Sequence, residues 1–134
     1  MFELALNFDK GTVFLKDIAE RQELSEKYLS KLIIPLRAAK LVSSARGAHG
    51  GYSLSKPPEK VTVREIVEVL EGELSPVECL NNASVCDRAE YCPTQEIWRA
   101  LAKAMAKVLD SYTLQDLVQK HDARKPQGAW NYSI

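Results

Sequence analysis

The chain has 134 residues, with 18 Lys and Arg against 18 Asp and Glu for a net charge of zero, 46% apolar residues and 27% charged ones. Such a chain is long enough to bury a core. Its apolar runs are too short to span a membrane, and the opening MFELALNFDKG lacks the basic region and small-residue cleavage site of a secretory signal.

The first expected helix lies over residues 2–8 (FELALNF) and breaks at Asp9-Lys10-Gly11. Leu15–Gln22 reads as a second helix, with Leu15, Ile18 and Ala19 on one face. After Glu23-Leu24, Ser25 is a good N-cap for a third helix, in which Leu29, Leu32, Ile33 and Leu36 follow the spacing of a buried face. The opposite face presents Glu26, Lys27, Ser30, Lys31 and Arg37, and Pro35 is expected to bend or tighten the helix. Two short helices joined by a tight turn, the second with a basic outer face, form a helix-turn-helix.

Two short β-capable runs follow, Leu41–Ala45 and Tyr52–Leu54, around the tip Arg46-Gly47-Ala48-His49-Gly50-Gly51. Glycines there supply positive φ and let the backbone approach a partner. The hairpin completes a winged helix, and Arg46 suits a narrow minor groove or phosphates. Charge agrees with this reading. Residues 1–64 hold eleven Lys or Arg against seven Asp or Glu, and residues 27–58 carry Lys27, Lys31, Arg37, Lys40, Arg46 and Lys56 with no acid. A segregated positive face attracts phosphate backbones.

Beyond Pro57-Pro58, Thr62 with Glu65 signals a capped helix that Gly72 stops. Next come the three cysteines of the chain, Cys79, Cys86 and Cys92, in ECLNNASVCDRAEYCPTQE. An odd number in one loop is a poor disulfide framework, whereas converging thiolates suit zinc or iron. Unpaired thiols without a signal peptide point to the cytoplasm. Thr94–Ser111 is a long helix in which Trp98, Leu101, Met105, Val108 and Tyr112 alternate by three and four, the seam of a helix pair. It is too short to stand alone, so a homodimer through helix 94–111 is expected. Thr113–Lys120 is a last short helix; beyond it Trp130 and Tyr132 are the residues with something to bury. His49, in a glycine-rich tip, is read as solvated rather than as a phosphate donor or metal ligand, and His121 is left open between such roles.

The stretches LKDIAERQELSEKYLSKLIIPLRAAKLVSSARGAHGGYSLSKPP, VTVREIVEVLEGELSPVECL and TLQDLV resemble the IscR-type (Rrf-type) winged-helix regulators of bacteria. That family includes regulators of cysteine metabolism and of nitric-oxide response. The resemblance implies a mainly α fold with a small β wing: a DNA-binding module over 1–72 (helix-turn-helix about 15–38, wing 41–55), a cysteine-rich loop over 73–93, and a dimerisation segment over 94–134. It implies a [2Fe–2S] cluster on Cys79, Cys86 and Cys92, and an operator-binding transcription regulator, not an enzyme, whose cluster occupancy alters operator preference. DNA contacts fall to Ser25, Lys27, Tyr28, Ser30, Lys31, Arg37, Arg46 and Gly47.

Departures from the family pattern stand beside it. The gap between Cys79 and Cys86 is one residue longer than usual, Gln95 replaces a histidine ligand, and Ser30 replaces a glutamate that helps to discriminate operators. The fourth ligand is therefore open. Family members usually carry further N-terminal residues, so a truncated or downstream start is expected. Alternatives are a regulator of cysteine metabolism or of nitric-oxide and redox stress, a zinc-stabilised regulator, and, remotely, a cysteine enzyme.

Overall fold

Three helices begin at hydroxyl residues whose side chains cap them. Ser25 Oγ accepts from the Tyr28 amide at 3.0 Å, Thr62 Oγ1 from Glu65 at 3.1 Å, and Thr113 Oγ1 from Asp116 at 3.2 Å. These bonds come from a computed structural model that describes residues 1–125. Within that range the helices are α1 (Phe2–Leu6), α2 (Leu15–Gln22), α3 (Glu26–Ala38), α4 (Val63–Glu71), α5 (Gln95–Asp110) and α6 (Leu114–Arg124). Strands β1 (Val42–Ala45) and β2 (Gly51–Leu54) pair antiparallel, from Val42 opposite Leu54 to Ala45 opposite Gly51. No helix among the described residues is long and apolar enough to cross a membrane.

The chain groups into two units, Met1–Val61 with the described residues from Thr113, and Thr62–Tyr112. The first unit holds nearly all the buried apolar side chains. Leu4, Leu41, Val61 and Leu114 are almost fully enclosed, each worth roughly 1.5–3 kcal/mol of burial. In α3, Ile33 and Leu36 are buried, and Leu29 and Leu32 half-buried, as the spacing requires. The helix runs through Pro35 to Ala38. Lys31, whose carbonyl loses the Pro35 donor, is an exposed residue that water can reach.

A segment ahead of α2 joins the hairpin. Val13 and Tyr52 exchange two backbone hydrogen bonds of 2.8 Å, forming a bridge beside β2. Gly51 permits it: its φ is +116°, and a Cβ there would stand 2.7 Å from the Val13 carbonyl oxygen. The close approach expected of the wing glycines is thus made inside the chain. Gly47, at φ +94°, faces open space instead.

The last helix runs four residues past the expected Lys120, to Arg124. A reciprocal capping box opens it, in which the Thr113 amide donates to Asp116 Oδ2 at 2.8 Å. It joins the first unit: the Leu114 amide donates to the Val61 carbonyl at 2.9 Å, and the His121 ring meets Phe2 edge-on with centroids 5.3 Å apart. His121 is therefore a packing residue. Trp130 and Tyr132 lie outside the described residues.

The second unit is a helix pair with a loop. The Arg64 guanidinium donates to Glu68 at 2.8 Å and to Asp110 at 2.7 Å, tying α4 to α5. The cysteine segment winds through three short 3-10 turns, Glu78–Leu80, Ala83–Val85 and Ala89–Tyr91. Ala89 is the one buried side chain of this unit. The grouping differs from the boundaries expected at 72 and 93: α4 belongs with α5, and α6 with the winged-helix elements. Long-range packing of this kind leaves no local mark in a sequence.

Candidate nucleic-acid interface and cysteine loop

The outer face of α3 is built by what its inner face buries. With Ile33 and Leu36 inward, Lys27, Tyr28, Ser30, Lys31 and Arg37 are all exposed, Tyr28 to 52% despite its aromatic ring. Two hydroxyls have local tasks. Ser25 Oγ caps the helix, and Ser30 Oγ donates to the Glu26 carbonyl at 2.8 Å. Ser30 therefore offers a partner mainly its lone pairs, while Lys27, Lys31 and the Tyr28 hydroxyl keep donors unused among the described residues.

Arg46 and Gly47 are exposed at the wing tip. Thr12 steadies that tip: its hydroxyl lies within hydrogen-bond reach of the His49 carbonyl, at 3.0 Å, and of the Gly50 carbonyl. His49 contributes this backbone acceptor, and its side chain is solvated.

Between α3 and the wing lies a groove of about 490 Å³, lined by Phe14, Lys16, Glu26, Ser30, Arg37, Ser44, Arg46 and Tyr52 among others. A second groove of about 740 Å³ runs along Ile34, Arg37, Lys40, Ser43 and Ser55. Arg37 and Ser44 line both, so the two grooves adjoin, and together their linings make a track carrying Lys16, Arg37, Lys40 and Arg46. Of the residues expected to meet DNA, the track gathers Ser30, Arg37 and Arg46. Ser25, Lys27, Tyr28, Lys31 and Gly47 stand exposed outside its lining. Lys16, Ser44 and Phe14 are not among the residues the sequence points to, and Lys40 enters there only as part of the basic run of 27–58. For Lys40 the acid-free run of 27–58 was the available signal; Lys16, on another helix, had none.

The three cysteines are free thiols, Cys79 and Cys92 half-buried and Cys86 exposed. Cys92 precedes α5, where the Thr94 hydroxyl oxygen lies 3.1 Å from its sulfur. That hydroxyl first, then the Thr94 amide, holds the Cys92 thiol below its ordinary pKa, with smaller help from the Gln95 amide and Arg88 and with partial burial opposing. In donor type and accessibility three such thiols suit an iron–sulfur cluster. They are not gathered: among the described residues no three Cys, His, Asp or Glu side chains stand close enough to share a metal ion. Holding a cluster would require the turns of the loop to draw the sulfurs together.

On α5, Leu101, Met105 and Val108 of the expected seam are exposed and Trp98 is half-buried; Tyr112, also exposed, lies just past the end of the helix. Leu101, Ala104, Met105, Val108 and Leu109 line an apolar groove of about 350 Å³. Ile97, 62% exposed, extends the apolar surface beyond the residues the spacing selected.

Residues 1–120 match the Rrf2 family, described as an iron-dependent transcriptional regulator. The chain is 43% identical over 125 residues to the HTH-type transcriptional regulator CymR of Bacillus subtilis, covering 93% of this chain and 86% of that protein. The structure of CymR, titled the global cysteine regulator of B. subtilis, superposes with a TM-score of 0.73 at 44% identity, over 89% of this chain and 87% of that one. That of IscR from T. potens does so with a TM-score of 0.77 at 42% identity, over 95% and 84%. The helices, the two-stranded wing and these likenesses together establish a winged helix, and the chain belongs to the Rrf2 family of DNA-binding transcriptional regulators.

Proposed function

We propose that this chain is a homodimeric operator-binding regulator whose cysteine loop takes a [2Fe–2S] cluster. The two adjoining grooves that share Arg37 and Ser44 between α3 and the wing, with Lys16, Lys40 and Arg46 in their linings, carry the DNA reading. Lys27, Tyr28 and Lys31 are assigned to base edges and backbone in the major groove, with Ser25 and Ser30 beside them. Arg46 and Gly47 are assigned to the adjacent minor groove, and Arg37 to phosphates. The partner is a second copy, joined along the apolar face of α5, because a unit with one buried side chain gains its core by sharing that face.

Cys79, Cys86 and Cys92 would hold the cluster, with the fourth ligand unassigned. When bound it supplies one-electron chemistry and a lability toward oxidants. Thr94 and Arg88 serve it by favouring the Cys92 thiolate. The state of the loop then sets operator preference. A second reading, a regulator of cysteine metabolism without a cluster, rests on the likeness to CymR.

One experiment separates the readings of the loop. Protein purified anaerobically should be reddish-brown with iron bound, and Cys92→Ala should lose that colour while remaining a folded dimer. Colourless protein with stoichiometric zinc, or with no metal, would reject the cluster. The DNA reading is tested by selection from randomised duplexes, which should enrich a two-fold symmetric sequence; no enrichment would contradict it.

A further inference from the structure

Among the described residues, Glu26 is the one carboxylate lining the 490 Å³ groove, in the company of Lys16, Arg37 and Arg46. It is exposed, and none of the ion pairs among the described residues involves it. An acid in the first turn of α3 interacts well with the helix dipole, but that benefit asks nothing of the groove. Where the groove meets DNA, a carboxylate is repelled by every phosphate. Its favourable partners are donors on the base edges, the exocyclic amines of the major groove.

The bases can be told apart. Adenine sets its N7 lone pair beside its N6 amine, and that lone pair repels a carboxylate. Cytosine offers the N4 amine without an adjoining acceptor on its own edge. Ser30 stands one turn further along the same face, and its hydroxyl proton is already given to the Glu26 carbonyl. It supplies no competing donor that would neutralise the acid.

We propose that Glu26 is a specificity-determining residue that reads a cytosine in each half-site, accepting a hydrogen bond from N4. The proposal rests on the groove being the DNA interface. In return for this choice, Glu26 weakens binding to DNA that lacks the cytosine.

The test is selection from a randomised duplex pool with the full chain, Glu26→Ala and Glu26→Gln, followed by titration of the selected duplexes. The wild type should prefer cytosine at one position per half-site by about tenfold. Glu26→Ala should lose that preference, keep the rest of the selected sequence and bind unrelated duplexes more tightly. Glu26→Gln should shift the same position toward adenine, because an amide both donates to N7 and accepts from N6. An unchanged sequence in both variants would overturn the role of Glu26 while leaving the DNA interface standing. Failure of the wild type to enrich any sequence would overturn both.

Discussion

Gly51 and Val13 approach so closely that a single added methyl group at the glycine would stand 2.7 Å from the Val13 carbonyl oxygen. This contact locks the wing onto the segment ahead of α2, and the reciprocal 2.8 Å bonds between Val13 and Tyr52 depend on it. Gly51→Ala therefore meets both a positive φ and a backbone clash. It should cost about 1–3 kcal/mol and lower Tm by several degrees in calorimetry. Gly11→Ala, at φ +108° but with nothing within 4 Å, should cost less. Equal losses would mean that the Val13 contact is unimportant.

Thr12 adds a side-chain tie to the same wing through the His49 and Gly50 carbonyls. Thr12→Val keeps the shape and removes the donor. DNA affinity should fall severalfold, and the loss should not add to that of Arg46→Ala, because each variant removes the same placed guanidinium. A double-mutant cycle measures this; strictly additive losses would separate Thr12 from Arg46.

The apolar face of α5 should be where copies of the chain meet. Val108 is 57% exposed, and Val108→Glu would place like charges opposite one another in a shared face. Sedimentation should show a dimer for the wild type and a monomer for Val108→Glu, with dimer affinity lower by at least about a hundredfold. A dimer of unchanged strength would move the interface elsewhere.

Asp116 carries the pH dependence of α6. The Thr113 amide, and then its hydroxyl, hold the Asp116 carboxyl below the usual carboxylate range, against partial desolvation. A depressed folded pKa gives stability that is present at neutral pH and is lost as pH falls through the folded value. Asp116→Asn should accordingly lower Tm at pH 7, and the difference from the wild type should shrink toward acid. A difference independent of pH would assign the effect to something other than the carboxylate.

Local signals were legible in the sequence wherever they act locally. Ser25, Thr62 and Thr113 each start a helix because a hydroxyl near a free amide is a near-neighbour effect, and the α3 face follows from a spacing of three and four. The wing glycines were legible as glycines, but not their purpose. Gly51 serves Val13, 38 residues earlier in the chain, and no short window contains both. The same reason hid Lys16 from the expected DNA contacts and α6 from its place beside Phe2 and Val61. In the cysteine loop the sequence displays three thiols, whereas their positions in space depend on how three successive 3-10 turns carry them.

The DNA interface proposed for α3 and the wing follows Lys16, Arg37, Lys40 and Arg46. Its most direct measurement is the anisotropy of a labelled duplex titrated with the chain over a range of salt concentrations. Affinity should fall steeply as salt rises. Arg37→Ala and Arg46→Ala should each weaken binding and reduce the log–log slope by about 1. Binding that is indifferent to salt and to both substitutions would place the DNA contact elsewhere or remove it.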